Sequence, residues 1–319
     1  MMRKIDRRST LAGLGLGLVG WGVPGFGQET DRRRPEGGIG GTGIVGTLTD
    51  FGSIVVNGLR IETDAPGIVT DAYGAFDVAD LSLGHSLTIE AAANDAGLLS
   101  AARIHVTQPV VGRVGYVAPD GRSGLVGGTN VVLEAGAIGT LEPGQQVAVS
   151  GLWRGRTVIA ARIDLADGKA DALAGAVETT TATEAIIAGR RVALGRLARP
   201  VIGTFATVIG RQNGPLLEAA SLSSGRFFGA AGALSSLSVE GYLQARSGAP
   251  FFEVSGLGHS FDREAALQAF AGRRTLFDGQ YDGDFRVETG LLLPEDVSAR
   301  QRLGQAILAG GEVARISAR

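Results

Sequence analysis

The sequence predicts a mainly β chain of tandem small barrels or sandwiches, with one or two short helices near the C-terminus. Short Val, Ile and Leu runs, separated by Gly, Asn or Asp turns, recur to about residue 258. One pair of apolar runs is joined by Asn57-Gly58, a dipeptide that favours a two-residue hairpin turn because both residues accept positive φ. These segments also repeat, and since a lone hairpin is unstable, each repeat must close with further strands.

One motif occurs in two clear copies. It reads L-x-x-G-x-x-(V/L)-x-(V/I), a turn, and then A-A-R-I-x-(V/L), over residues 81–106 and 141–165. Looser copies occupy residues 202–222 and 237–257. The repeats predict the following division of the chain: 1–27, signal; 28–37, disordered tether; 38–108, β-barrel repeat 1; 109–168, repeat 2; 169–225, divergent repeat 3; 226–319, divergent repeat 4 with C-terminal helices.

The pattern changes after residue 258. Ser260 is suited to cap a short helix that runs through Ala271, with its apolar residues on one side. Residues 273–293 read as a further hairpin. Residues 294–308 predict a second amphipathic helix, with Pro294 near its first turn, where a missing N–H costs little.

The N-terminus has the three parts of an export signal. A basic segment with Arg7-Arg8 is followed by an apolar run over residues 11–23, and small residues come next. The run is shorter than the ~20 apolar residues that span a bilayer. Arg7, Arg8 and Leu11 together give the twin-arginine address, which a receptor reads. We therefore expect a periplasmic or extracellular protein, with the twin-arginine translocase as its partner during export and no stable membrane insertion.

Composition limits the classes of partner. The chain has 319 residues and no cysteine, so no disulfide bond can stabilise it. Its net charge is −2, and residues 1–27 contain four basic side chains and one acidic one, which leaves the remainder near −5. Nucleic acids and anionic lipids attract clustered positive charge. We therefore expect neither as the main partner.

Two glycine-rich segments carry a family resemblance. Residues 37–43 read G-G-I-G-G-T-G, and residues 46–58 read G-T-L-T-D-F-G-S-I-V-V-N-G. With the L-x-x-G repeat that follows, they resemble exported bacterial proteins built around the domain of unknown function 5666 (DUF5666). The resemblance covers residues 37–106 and, more weakly, 109–165. It implies tandem small β-barrels similar to an OB-fold in an envelope protein, and it brings no established activity and no catalytic residue.

Three aromatic residues are candidates for ligand stacking: Trp153, Tyr242 and Phe251. OB-type barrels bind oligomers on exposed aromatic side chains. Trp153 follows an apolar run and is flanked by Arg154 and Arg156. The favoured alternative is that such a residue lies in the core or at a strand edge.

Four acidic residues lie close together near the C-terminus: Asp278, Asp282, Asp284 and Glu288. Oxygen ligands at short spacing suit Ca²⁺, although the ligand order of an EF-hand is missing. Asp-Gly pairs are also ordinary hairpin-turn residues, and we favour that interpretation.

Other motifs argue against a cofactor. Residues 38–43 fit G-x-G-x-x-G, but they precede a predicted strand, whereas a dinucleotide site needs that loop to open a helix. His85, His105 and His259 have no metal-ligand spacing, and we interpret them as surface or turn residues. We therefore expect no cofactor.

The sequence thus favours a non-enzymatic β-repeat protein of the cell envelope, a binding or scaffolding module whose partner is an envelope polymer or protein. One alternative is a protein that binds an oligosaccharide or envelope polymer on its barrel faces. Another is a hydrolase with an unrecognised carboxylate site near residues 278–288.

Overall fold

The computed structural model describes residues 40–51, 53–63, 69–94, 97–245, 252–259 and 264–317. Its first seven strands are β1 (Gly41–Asp50), β2 (Ile54–Val56), β3 (Leu59–Glu62), β4 (Val69–Asp71), β5 (Gly74–Ala75), β6 (Ser86–Ala93) and β7 (Leu99–Val106). Strands β1, β2, β3, β7 and β6 pair in that order, and β6 returns to β1, which closes a ring. We call this ring barrel 1. The short hairpin β4–β5 lies outside the ring and pairs with β7.

Two more rings follow. Barrel 2 contains β8 (Val110–Val117), β9 (Ser123–Val126), β10 (Thr129–Ile138), β11 (Gln146–Arg154) and β12 (Thr157–Leu165). Barrel 3 contains β13 (Asp171–Thr180), β14 (Glu184–Ile187), β15 (Arg190–Ala193), β16 (Phe205–Asn213) and β17 (Leu216–Ser224). Both rings close in the order found in barrel 1, with the third and fifth strands parallel. This is an OB-like arrangement.

The three barrels share one turn before their fourth strand. It contains Gly84, Gly144 and Gly203, whose φ angles are 88°, 87° and 88°. Such angles are accessible to glycine at little cost. Each glycine N–H donates to the carbonyl of the equivalent residue in the first strand: Leu48, Val114 and Val177. The G of L-x-x-G is therefore the residue that holds this turn against its barrel.

The rest of the chain extends barrel 1. Its elements are β18 (Leu234–Ala245), β19 (Phe252–Val254), α1 (Glu264–Phe270), β20 (Arg274–Tyr281), β21 (Phe285–Leu292), α2 (Val297–Leu308) and β22 (Ile316–Ser317). We call residues 226–317 the C-terminal segment. Strand β18 pairs in parallel with β1 and antiparallel with β20, and the described strands of this segment close no ring. The segment is thus an open extension where the sequence suggested a fourth repeat.

The predicted fold class is confirmed: the chain is mainly β, with tandem small barrels and two short helices among the described residues. The second helix begins at Val297 rather than at Pro294, because Asp296 caps it by accepting a hydrogen bond from the Ala299 N–H at 2.8 Å. Ser260 lies outside the described residues. No helix in the described part of the chain is both long and apolar enough to cross a membrane.

Buried apolar side chains explain how the barrels are joined. Barrel 1 has its own core, with Ile44, Ile89 and Ile104 fully buried. Barrels 2 and 3 share one continuous core that includes Trp153. A third apolar cluster lies in the C-terminal segment and reaches Val45 of β1. The chain therefore buries apolar surface between its modules as well as within them.

Candidate functional site

Four charged side chains are buried where barrels 1 and 2 meet the C-terminal segment. They are Glu134 of β10, Glu240 of β18, Arg274 of β20 and Arg300 of α2, with exposures of 6%, 2%, 1% and 4%. We call these four residues the charge network. Charged side chains are rarely buried in this way unless they are paired, because removing an ion from water is costly.

Each of the two arginines contacts both carboxylates. Arg274 donates from Nη2 to Glu134 Oε2 at 2.5 Å and from Nη1 to Glu240 Oε1 at 2.6 Å. Arg300 donates from Nη2 to Glu134 Oε1 at 2.5 Å, and its Nε lies 3.5 Å from Glu240 Oε1. Each pair thus combines residues that are far apart in sequence, and the network as a whole requires barrel 2, β18, β20 and α2 to be in place.

Neighbouring groups complete the network. The backbone N–H of Thr47 in β1 donates to Glu240 Oε2 at 2.7 Å, which connects barrel 1. The Arg274 guanidinium carbon lies 5.6 Å from the centre of the Tyr242 ring, within the range of a cation–π contact. The Tyr242 hydroxyl donates to Glu295 Oε2 at 2.5 Å.

The electrostatic balance differs between the two carboxylates. For Glu240, burial raises the pKa, but Arg274 and Arg300 outweigh it and hold the pKa below its usual value. For Glu134, burial is the larger effect and raises the pKa despite the same two arginines. Burial lowers the pKa of Arg274, but Glu240 and Glu134 outweigh it and raise the pKa. Burial is also the main reason that the pKa of Tyr242 rises to about 12.

A small cavity adjoins the network. Its volume is about 20 Å³, and Thr47, Asn57, Glu240 and Arg300 contribute its polar lining, while Ile307 is among its apolar residues. Thr47 Oγ1 and Asn57 Oδ1 are buried and have no hydrogen-bond partner among the described residues. A cavity of this size holds about one water molecule and leaves no room for an organic substrate.

Trp153 and Tyr242 are buried, as the favoured interpretation predicts, and are not exposed stacking platforms. Trp153 is 8% exposed, and its Nε1 donates to the Ala174 carbonyl at 2.8 Å, at the junction of barrels 2 and 3. Tyr242 is 1% exposed and belongs to the surroundings of the charge network. Both are core aromatics because a neighbouring module covers the strand that carries them. Phe251 lies outside the described residues, as do Arg7, Arg8 and Leu11 of the signal.

The four acidic residues near the C-terminus do not converge on one point. Asp278 pairs with Arg315, and Asp282 pairs with Arg286. Glu288 accepts a hydrogen bond from Gln280 at 3.1 Å. Asp282 and Asp284 lie in the turn between β20 and β21. No group of three or more metal-binding side chains was found in the described part of the chain.

Two of the histidines that we interpreted as surface or turn residues are buried. His85 is 4% exposed and His259 is 5% exposed. His85 Nδ1 accepts a hydrogen bond from the Ser82 N–H at 3.1 Å, so Nε2 carries the proton and donates to Asp164 Oδ2 at 3.0 Å. With both nitrogens engaged, His85 joins barrel 1 to barrel 2 and has no nitrogen available for a substrate.

Sequence reasoning missed the charge network entirely. Its signal was a carboxylate within an otherwise apolar strand run, as in V-V-L-Glu134 and S-V-Glu240-G-Y. Such a residue either points to the solvent side of its strand or is buried against a partner of opposite charge. The neighbouring sequence does not reveal that partner. Arg274 follows Glu134 by 140 residues.

Comparisons of the chain with family models, with curated proteins and with solved structures find no match. The DUF5666 resemblance therefore rests on the motifs in residues 37–106 and 109–165 and stays a prediction.

Proposed function

We propose that this chain is an exported, non-enzymatic scaffold of the cell envelope, in which the barrels are held at fixed positions to present their outer surfaces to an envelope partner. The observation that carries the proposal is the charge network. A buried charge without its partner costs several kcal/mol, so only one arrangement of the modules satisfies all four residues. We infer that these buried ionic groups favour one arrangement of the modules more than they add net stability.

The remaining module contacts support a rigid body. Lys169 follows barrel 2, and its Nζ lies 2.9 Å from Asp71 Oδ2 in β4, the strand outside the ring of barrel 1. Arg226 follows barrel 3 in sequence and is buried. Its Nη1 donates to Thr88 Oγ1 of barrel 1 at 3.1 Å, and its guanidinium carbon lies 3.6 Å from the centre of the Phe205 ring in barrel 3. Each barrel is thereby tied to the other two, directly or through the C-terminal segment.

Export by the twin-arginine pathway is part of the proposal. That pathway carries folded proteins, and a chain with many strand pairings between distant residues folds slowly and exposes strand edges meanwhile. Folding before export avoids that exposure. Replacement of both arginines, Arg7→Lys with Arg8→Lys, is expected to leave the chain in the cytoplasm, whereas unchanged export of this variant would argue against the pathway.

The scaffold proposal is tested by measuring distances between modules. Because the chain has no cysteine, two introduced cysteines can carry spin labels at chosen sites. Leu165→Cys in barrel 2 with Arg191→Cys in barrel 3 suits this, since both residues are exposed. We expect a single narrow distance distribution, also when Leu165→Cys is paired with Arg302→Cys on α2. A broad distribution for either pair in the otherwise unchanged chain would contradict a fixed arrangement.

One observation favours a second candidate, the binding of an oligosaccharide or envelope polymer. OB-type barrels bind such ligands on the face of their second and third strands. In barrel 2, Tyr116 of the first strand is 54% exposed and pairs with the half-buried Leu125 of the second strand, beside that face. In barrel 1, α2 covers the face, with Ile307 against Gly58. In barrel 3, the face carries the Glu184–Arg191 ion pair at 2.9 Å.

Glycan binding provides the test of that candidate. We expect Tyr116→Ala to abolish binding to an array of cell-wall glycans, while Phe228→Ala, which removes another exposed aromatic, leaves binding intact. Equal loss in both variants, or no binding by the unchanged chain, would remove this candidate and leave the scaffold proposal in place.

A further inference from the structure

Barrel 1 contacts barrel 2 at several points, and one of them is the turn at residues 81–84. Residues 81–84 lie so close to β12 that a Cβ on Gly84 would be 3.0 Å from both the Ala161 carbonyl oxygen and the Arg162 Cβ. Arg162 Nη1 donates to the Leu83 carbonyl at 3.3 Å. Ala161 is fully buried. This part of the junction therefore places the L-x-x-G turn of barrel 1 on the A-A-R-I strand of barrel 2.

Barrel 3 carries the same turn with its surface exposed. Gly203 has the φ angle of Gly84, and both N–H groups make the equivalent hydrogen bond to their own first strand. The two residues before Gly203 are Val201 and Ile202, which are 67% and 53% exposed. The turn therefore presents a small continuous apolar patch to water, whereas exposed apolar residues are more often isolated.

Barrel 3 also carries the matching strand with its surface exposed. In β17, Ala219, Ala220 and Ser221 pair with β16 as Ala160, Ala161 and Arg162 pair with β11. Both strand pairs shift register at this point. Ala220 and Ser221 are exposed, whereas Ala161 is fully buried under barrel 1. Barrel 3 therefore has the turn and the register shift of this contact between barrels 1 and 2, with Ser221 in the place of Arg162.

We propose that two copies of this chain associate through barrel 3, with the turn at residues 200–203 of one copy docked on β17 of the other. Because each copy carries both halves, a two-fold axis allows the contact to form twice, as in most closed homodimers. The chemistry is complementary. Val201 and Ile202 are apolar, and the β17 surface they would meet consists of small uncharged residues, Ala220, Ser221 and Ser223.

The equivalent turn of barrel 2 is not suited to such a contact. Its L-x-x-G turn has Glu142 and Pro143 in place of Val201 and Ile202, and Gly144 faces open space. A carboxylate at this position would lose its hydration in a docked contact without gaining a partner. Glu142 is therefore a matched control position for experiments on barrel 3.

The first experiment measures molar mass by sedimentation equilibrium over a wide concentration range. We expect the full chain to reach twice its monomer mass with increasing concentration. The double variant Val201→Asp, Ile202→Asp is expected to stay monomeric, while Leu165→Asp, at an exposed aliphatic residue of barrel 2, should associate like the unchanged chain. A monomeric unchanged chain at all concentrations, or a double variant that still dimerises, would overturn the proposal.

A second experiment keeps the test valid if the double variant fails to fold. The chain has no cysteine, so Ile202→Cys and Ser221→Cys can be introduced in separate preparations and mixed under mild oxidation. We expect a disulfide between the two chains at a rate at least tenfold above that of Glu142→Cys mixed with Ser221→Cys. Equal rates would overturn the proposal. The contact uses no residue of the charge network, so its failure leaves the scaffold proposal standing.

Discussion

The two junctions that barrel 2 makes are built on opposite principles. Toward barrel 1 and the C-terminal segment, the junction contains the four buried charges of the charge network. Toward barrel 3, it is a continuous apolar core in which Trp153 makes one neutral hydrogen bond, to Ala174. A Cβ on Gly175 would lie 3.3 Å from Trp153 Nε1, so the glycine makes room for the indole.

The difference shows which junction specifies the arrangement of the modules and which junction mainly buries apolar surface. Apolar cores tolerate substitutions that keep their volume, because contacts between methyl and ring atoms have little directional preference. Buried ion pairs have no such tolerance, because a displaced carboxylate loses its partner without regaining water. We infer that the charge network sets the arrangement of the modules, whereas the Trp153 junction supplies burial.

The strongest way to break this comparison is to remove one charge from the network. Arg274→Met keeps an unbranched apolar stem but removes the guanidinium, which leaves Glu134 and Glu240 buried beside a neutral group. We expect a loss of about 3–5 kcal/mol in the free energy of unfolding, measured by urea titration. Arg302→Met, on the exposed side of α2, should change the free energy by less than about 0.5 kcal/mol. A similar small effect for both variants would contradict the role of the network.

The second prediction uses pH. In barrel 1, burial and Arg103 lower the pKa of His105 to about 4, so the folded chain favours the neutral ring. The unfolded chain binds a proton near pH 6.5, so this stabilisation is present above pH 6.5 and is lost as the pH falls toward 4. We expect a decline of roughly 2–3 kcal/mol over that range.

Substitution of the ring provides the control for that prediction. His105→Gln retains a polar group near Thr70 Oγ1, which lies 3.0 Å from His105 Nδ1, and it has no titration in this range. Its free energy of unfolding should vary less between pH 6.5 and 4 than that of the unchanged chain. Identical pH profiles would show that His105 is not the responsible group.

The third prediction concerns the apolar junction between barrels 2 and 3. Trp153→Phe keeps an aromatic ring but leaves the Ala174 carbonyl without its donor. We expect a loss of about 1–3 kcal/mol, smaller than that of Arg274→Met. A larger loss than that of Arg274→Met, in the same urea titration, would reverse the assignment of the two junctions.

The smallest effect is expected at an exposed ion pair. Arg191 and Glu184 are both more than a third exposed, and their closest atoms are 2.9 Å apart. Arg191→Ala should lower the free energy of unfolding by less than about 1 kcal/mol, and this difference should shrink in high salt. A loss as large as that of a network variant would mean that exposure does not separate the two kinds of ion pair.

Local patterns predicted much of this fold. The Asn57-Gly58 turn, the L-x-x-G glycines and the A-A-R-I strands each follow from φ preferences and period-2 alternation over a few residues. Patterns over a few residues also explain why the two C-terminal helices were predicted. These signals are sufficient for hairpins, and since hairpins must bury a face, also for small barrels.

The sites could not be predicted in the same way. Strand β18 pairs with β1 across more than 190 residues, and no local property of either strand specifies that partner. The sequence indicates a core or strand-edge position for Trp153, but it does not indicate that barrel 3 is the module that covers it. Glu134 likewise reads as an ordinary polar residue until Arg274 and Arg300 are placed next to it. Burial between modules is decided by tertiary packing, which the sequence pattern does not contain.

The most direct test of the rigid three-barrel account is whether the modules unfold together. With Trp21→Phe, Trp153 is the single tryptophan, and its fluorescence reports the junction of barrels 2 and 3. Far-UV circular dichroism reports all strands. The account predicts that the two probes give the same urea midpoint in this chain. Separate midpoints would contradict it.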